Sequence, residues 1–266
     1  MEETTYALAA PVSLAILADL HGKPYQRILE RVGKRKPDMI CLCGDVINGT
    51  PPEGGRSPLE TQKNILPFLT ACGEIAPTYF SLGNHEWVLD PQDLALIRDT
   101  GVTVLDNSWC VRGDLVIGGL TSDRVISYRE HGMQPSHERR DLRRYFASPT
   151  GGDPSASPHR PDTSWLREYC AVPGYHILLC HHPEYYPLLP LGIDLVLSGH
   201  AHGGQWRYYS FSRHRWMGLF APGQGFFPAF TSGVHDGRLV ISRGLSNPIS
   251  IPRICNPREI VYIDPL

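Results

Sequence analysis

Five short polar clusters hold the residues of this chain that could do chemistry: Asp19-Leu20-His21, Gly44-Asp45, Gly83-Asn84-His85-Glu86, His181-His182 and Gly199-His200-Ala201-His202. Asp, Asn and His together offer mixed oxygen and nitrogen donors. That set suits Mn, Fe or Zn ions and is poor for Ca²⁺ or an iron–sulfur cluster. No cysteine falls in any of the clusters, which counts against a structural zinc knot. The number of donors exceeds what one ion takes. It suits two ions sharing a carboxylate, the kind of pair that sits roughly 3.5–4 Å apart and clamps a phosphoryl group.

Each cluster follows an apolar run of strand length, at residues 12–18, 39–43, 78–82, 175–180 and 193–197. In an open α/β sheet, sites form at the carboxyl ends of strands. Small Gly199 and Ala201 leave room for two imidazoles to turn toward one point, and Gly203-Gly204 stops any helix there. Between the runs, 25–36 has helical spacing through Ile28, Leu29 and Val32 and is closed by Pro37. Residues 59–72 read as a helix that Pro67 kinks or breaks. Residues 91–99 read as a helix with Asp90 as N-cap and Pro91 at its first position. Further strands are expected at 102–105 and 115–120 around a turn near Arg112-Gly113-Asp114, at 239–244 and at 259–263, with an aromatic, basic hairpin at 206–215. No repeat or linker divides the chain, so one domain over 1–266 is expected. Residues 121–163 break the pattern: Arg, His, Ser, Pro and Gly dominate, with a short helix expected at 142–147. This is either a floppy insertion or a lid and substrate wall; His131, His137 and His159 within it read as solvated.

The chain has 266 residues, 41% hydrophobic and 20% charged, enough for a sizeable core. A net charge of −2 gives no basic footprint for sequence-independent nucleic-acid binding. No membrane segment or secretory signal is read at the N-terminus, where Glu2 and Glu3 stand in place of basic residues, so a cytoplasmic location is expected. The seven scattered cysteines read as reduced thiols, with Cys41 and Cys43 as alternate residues of one strand rather than a soft-metal clip.

Taken in order, Asp-x-His, Gly-Asp, Gly-Asn-His-Glu, His and Gly-His-x-His resemble the calcineurin-like metallophosphoesterases. Gly199 to Gln205, Gly218-Leu219-Phe220-Ala221-Pro222-Gly223, Ser242-Arg243-Gly244-Leu245 and Pro257-Arg258-Glu259-Ile260-Val261 resemble its bacterial YkuE/YaeI-like phosphodiesterase subgroup. The resemblance implies a four-layer α/β/β/α sandwich with a dimetal site at the strand ends. It implies Asp19, His21 and His202 on one ion, Asn84, His181 and His200 on the other, Asp45 bridging, and Mn as the favoured metal. A metal-bridging hydroxide would attack the phosphorus of a small phosphate ester, a phosphodiester by preference, with His85 protonating or hydrogen-bonding the leaving oxygen as general acid. Carboxylates should orient the histidines, with Glu86 and Asp194 as candidates. Phosphomonoester hydrolysis, a nuclease of the same fold and a non-catalytic scaffold are the alternatives; the complete ligand set opposes the last. The protein serine/threonine phosphatases carry Gly-Asp-x-x-Asp-Arg-Gly, whereas Gly44-Asp45-Val46-Ile47-Asn48-Gly49 lacks the second Asp and the Arg. That weakens a phosphoprotein reading. His182 is expected to point away from the site, and Arg243 and Arg258 to be solvated or salt-bridged. Trp87, Trp206 and Tyr208 are read as packing or as an apolar wall.

Overall fold

The apolar runs build two six-stranded sheets in the computed structural model, which describes residues 1–51, 53–131, 160–247, 249 and 251–266. The chain opens the first sheet with β1 (Glu2–Leu8), β2 (Leu14–Leu17), β3 (Met39–Cys43), β4 (Thr78–Ser81) and β5 (Thr103–Leu105). It then builds the second with β6 (Ser108–Arg112), β7 (Leu115–Leu120), β8 (Tyr175–Cys180) and β9 (Leu195–Ser198). Two antiparallel ribbons follow, β10 (Arg207–Ser210) with β11 (Arg215–Gly218) and β12 (Phe220–Ala221) with β13 (Gly225–Phe226). After them β14 (Gly233–His235) and β15 (Leu239–Ile241) complete the second sheet, and β16 (Glu259–Pro265) returns to the first, between β1 and β2. The strand orders are β1-β16-β2-β3-β4-β5 and β14-β15-β9-β8-β7-β6. β2 to β5 run parallel, as do β7, β8, β9 and β15, so their carboxyl ends lie along common edges.

Period-two alternation sorts each buried strand between two cores. On β2 and β3, Ala15, Leu17, Ile40 and Leu42 face outward, while Leu14, Ile16, Met39, Cys41 and Cys43 face the second sheet. There they meet Ile177, Leu179, Leu195 and Leu197, whereas Leu178, Cys180 and Val196 face the far side. Helices α1 (Gln26–Arg35), α2 (Pro58–Thr61), α3 (Ile65–Ile75) and α4 (Pro91–Asp99) form the outer layer of the first sheet, through residues such as Ile28, Phe68 and Ile97. α5 (Asp123–His131) adds Val125 to that core, and α6 (Leu166–Ala171) covers the second sheet with Leu166 and Tyr169. The result is the four-layer α/β/β/α sandwich. Burial among apolar neighbours pushes the Cys41 thiol up to about 12, as for a protonated core thiol.

The Asp90 cap forms as expected, as a capping box with Asp93 and with Pro91 opening α4. Three local readings differ. The 59–72 helix breaks at residues 62–64, ahead of Pro67, which sits in the first turn of α3 where a proline's missing N–H satisfies nothing inside the helix. The partner of β7 across the turn at Gly113 is β6, while Thr103–Leu105 belongs to the other sheet. The polar edge strand β1 was not foreseen. Of the 121–163 segment, residues 132–159 lie outside the described residues, and with them the 142–147 helix, His137 and His159.

Candidate metal centre

The ends of β2, β3 and β9 turn sharply because the chain enters the left-handed region there. Asp19, His21, Asp45, His200 and His202 have φ of 58°, 50°, 53°, 63° and 47°. Such backbone is uncommon outside glycine, and Asp, Asn and His adopt it most readily. Concentrated at one place, it marks a functional site. The loops also hold one another: the Asp19 N–H donates to the Gly44 carbonyl at 3.1 Å and the His21 N–H to the Asp45 carbonyl at 3.0 Å. Gly44 permits a close approach, since a Cβ there would lie 2.6 Å from His181 Nδ1.

All seven expected ligands converge. Asp19, His21 and His202 form one cluster, and Asp45, His181 and His200 form another. Asp45 Oδ2 stands between them, 3.9 Å from His21 Nε2 and 3.2 Å from His181 Nε2. Asn84 Oδ1 lies 3.2 Å from His181 Nε2, and His202 Nε2 lies 3.6 Å from Asp19 Oδ1. His181 Nδ1 faces the Cys43 carbonyl at 2.6 Å, which leaves Nε2 for a metal. Both nitrogens of buried His21 lack any hydrogen-bond partner. Buried polar groups are seldom left so, and a metal ion satisfies this one. The residues therefore fit a dinuclear metal site.

The electrostatics agree. Burial and the charge of Asp45 push Asp19 up to about 7. Burial pushes His200 down to about 3 and holds His21 and His202 well below their usual range. Burial also works against charge on Asp45 and His181, but each stabilises the other: His181 rises to about 10 and Asp45 stays well below the usual carboxylate range. His21, His200 and His202 are thus held as the neutral imidazoles that metal binding requires, whereas His181 and Asp19 must give up a proton to bind an ion.

His85 also falls within reach of the centre, grouped with His21 and Asp45 and with its ring centroid 4.5 Å from that of His21, but it is the more exposed member. Its side chain is 22% exposed against 1% for His21, and its Nε2 lies 3.7 Å from Asp45 Oδ2. The Gly49 N–H donates to its Nδ1 at 2.8 Å, so the proton of the neutral ring sits on Nε2.

The supporting residues were only partly foreseen. Glu86 binds backbone rather than histidine: it accepts the N–H groups of Asp45, Val46 and Gly83 at 2.8 Å and of Ile47 at 3.2 Å. Asp194 serves His176, accepting its backbone N–H at 2.7 Å, and so holds a non-ligand. The carboxylate beside a ligand histidine is instead Glu184, with Oε1 3.6 Å from His200 Nε2 and 3.1 Å from His182 Nδ1. His182 thus faces the site's rear wall, where its ring lies 4.1 Å from that of His200 and its Nε2 is 2.8 Å from Ser122 Oγ. Arg253 reaches His202 Nδ1 at 3.0 Å, and the Asn256 amide donates to the carbonyls of His202 and Gln205. Arg243 is salt-bridged, to Glu2 and Glu259. Trp87 is buried and donates to the Gly49 carbonyl; the Arg124 guanidinium lies over its ring at 5.6 Å, with Asp45 as an electrostatic neighbour. Glu184, closely following His181-His182, carried a readable signal; Arg124, Arg253 and Asn256 did not.

Residues 12–204 match the family model for calcineurin-like phosphoesterases. The chain is 25% identical over 250 residues to an uncharacterized metallophosphoesterase of Campylobacter jejuni, covering 92% of this chain and 55% of that protein. It is 27% identical over 213 residues to the phosphodiesterase YaeI of Escherichia coli, covering 75% of this chain and 63% of that one. A solved dimetal phosphatase from Danio rerio aligns over 82% of this chain and 89% of its own, at 12% identity and a TM-score of 0.45. The chain spans about half the length of the first curated relatives it matches. Among the described residues, no helix is long and apolar enough to cross a membrane.

Proposed function

Because this chain belongs to the calcineurin-like phosphoesterase family, we propose that it hydrolyses small phosphate esters, phosphodiesters by preference, at a two-metal centre. Asp19, His21 and His202 would hold one ion, Asn84, His181 and His200 the other, and Asp45 both. The observation that carries this reading is the meeting of two buried donor clusters at Asp45, one of Asp19, His21 and His202 and the other of Asp45, His181 and His200. Two divalent ions, Mn favoured, supply Lewis acidity toward the phosphoryl oxygens and lower the pKa of water.

The chain's own residues do the rest. The loop bonds fix Asp45 between the two clusters before any substrate arrives. His85 donates from Nε2 to the leaving oxygen. Full proton transfer would need the imidazolium, and protonating Nδ1 would break its bond with the Gly49 N–H. That bond supports hydrogen-bond donation over the general-acid role implied by the family resemblance. Arg124, held over Trp87 and near enough to feel the charge of Asp45, would pair with a phosphoryl oxygen. The likeness to a phosphodiesterase of Escherichia coli and the absence of the second Asp and the Arg after Gly44-Asp45 support a diester substrate.

The test is hydrolysis of bis-p-nitrophenyl phosphate against p-nitrophenyl phosphate by protein stripped with chelator and reloaded with Mn²⁺. Metal-dependent turnover, faster on the diester, is expected. No turnover of either sinks the enzyme reading, and faster monoester cleavage sinks the diester preference. His85→Ala should keep both ions and lose about 10²–10³ in kcat, the cost of one preorganised hydrogen-bond donor.

A further inference from the structure

Residues 195–235 contain no Asp or Glu, yet they hold Arg207, Arg213 and Arg215 and nine aromatic side chains. The structure spends much of this run on surface. Phe211 is 81% exposed at the β10–β11 turn and Phe227 68% exposed beside the β12–β13 ribbon, with Trp216, Tyr208, Tyr209 and Phe226 exposed as well. The rings form connected groups. Tyr209 pairs across the hairpin with Trp216 at 5.8 Å between centroids and touches Phe211 at 5.3 Å, while Tyr208 meets Phe227 at 6.5 Å. On the Tyr208 side an open cavity of about 360 Å³ is lined by Trp206, Arg207, Tyr208, Leu219, Phe227 and Ile254. Arg213, His214 and Arg215 are exposed around the turn.

We propose that this double ribbon docks on an anionic phospholipid bilayer. Phe211 at the turn and Trp216 beside it would enter the interface, and Arg213 and Arg215 at the same turn would meet lipid phosphates. Aromatic side chains with flanking arginines are the composition that partitions to an anionic membrane surface. Two other occupants fit less well. Single-stranded nucleic acid stacks on open ring faces, but here Tyr209 with Phe211, Tyr209 with Trp216 and Tyr208 with Phe227 meet edge to face, at 79°, 75° and 84°. A second copy of the chain would set arginine against arginine, with no acid anywhere in the run to pair with them. The patch is tied to the metal centre: the Leu219 N–H donates to the Gly204 carbonyl at 3.1 Å and the Trp206 carbonyl at 2.7 Å, so the ribbon grows directly from the loop of His200 and His202.

The test is co-sedimentation of the full chain with vesicles of phosphatidylcholine, with and without phosphatidylglycerol. Two double variants are compared with the parent, Phe211→Ser with Trp216→Ser and Arg213→Glu with Arg215→Glu. The parent should bind only the vesicles containing phosphatidylglycerol, less tightly as salt rises. Each double variant should bind about tenfold more weakly, while its circular dichroism and its turnover of a soluble chromogenic diester stay unchanged. The proposal is overturned if the parent does not bind at low salt, binds neutral vesicles equally, or is unaffected by both double variants. It is also overturned if the patch instead binds a single-stranded oligonucleotide, or if light scattering shows a dimer that these variants dissolve.

Discussion

Glu86→Gln is the substitution that most directly probes how the Asp45 loop is held. Oε2 accepts the N–H groups of Asp45 and Gly83, and Oε1 those of Val46 and Ile47. Glutamine has the same shape but one acceptor fewer, so whichever oxygen becomes NH₂, two buried N–H groups face another donor. Each N–H left without an acceptor costs about 1–3 kcal/mol, a loss of about 2–6 kcal/mol in all. That is a large share of a net stability of about 5–15 kcal/mol. Burial and the charge of Asp45 push Glu86 up to about 8 in the metal-free protein. The carboxylate is therefore fully ionised only above pH 8, and below it the folded protein holds a proton that the unfolded chain, with an ordinary carboxylate, has already lost. Urea unfolding of metal-free parent and variant should show a gap at pH 9 that widens as pH falls through 8 toward 6, because the parent gains about 1.4 kcal/mol per pH unit below 8 from this group and the variant gains nothing. A gap under about 0.5 kcal/mol at pH 9, within the range of ordinary surface changes, would refute the idea that this carboxylate fastens the loop. A gap equal at both pH values would show that its charge plays no part.

Asp45→Asn keeps the size of the central side chain and removes its charge; metal analysis after dialysis should show fewer than two ions per chain, and two retained ions would exclude Asp45 as the bridge. Metal affinity should fall on acidification. Asp19, raised to about 7, and His181, raised to about 10, both hold protons at pH 6 that a metal must displace, so affinity drops about tenfold per pH unit per proton. Below pH 7 both protons count, and between 7 and 10 only that of His181. Calorimetry in buffers of differing ionisation enthalpy reads the proton release directly, and release of none would contradict the assignment. Arg124→Ala should raise KM about tenfold with little change in kcat and in bound metal, and Arg124→Lys should recover part of that; an unaltered KM would remove the arginine from substrate binding.

The residues of the donor clusters were legible because each group follows an apolar run that could only be a buried strand, and polar residues at its end have few structural reasons to be there. Period-two alternation then placed Cys41 and Cys43 together in the core between the sheets. What supports the ligands was less legible, because it depends on contacts far apart along the chain. Arg253 reaches His202 across 51 positions and Glu86 reaches the Asp45 loop across about 40. Asp194 was misread as an orienting group because it precedes the Gly-His-x-His strand, but it lies at the strand's opposite end, where it meets His176. The edge strand β1 was missed because its side chains are mostly polar or half-exposed, so its only signal is pairing with β16.

The left-handed backbone at Asp19, His21, Asp45, His200 and His202 narrows the alphabet that random mutagenesis could accept at these positions. Selection acts there twice, once for a donor atom and once for a dihedral angle. Glycine or asparagine at residue 200 would keep the path of the chain and forfeit the imidazole, giving an intact but metal-poor protein. Valine or isoleucine would forfeit both, because a β-branched residue at positive φ is a true outlier. A saturation library sorted first for folding and then for bound metal should therefore separate into nested sets, with glycine and asparagine passing the first sieve only. Anyone seeking a clean metal-free form of this protein should draw on that middle set.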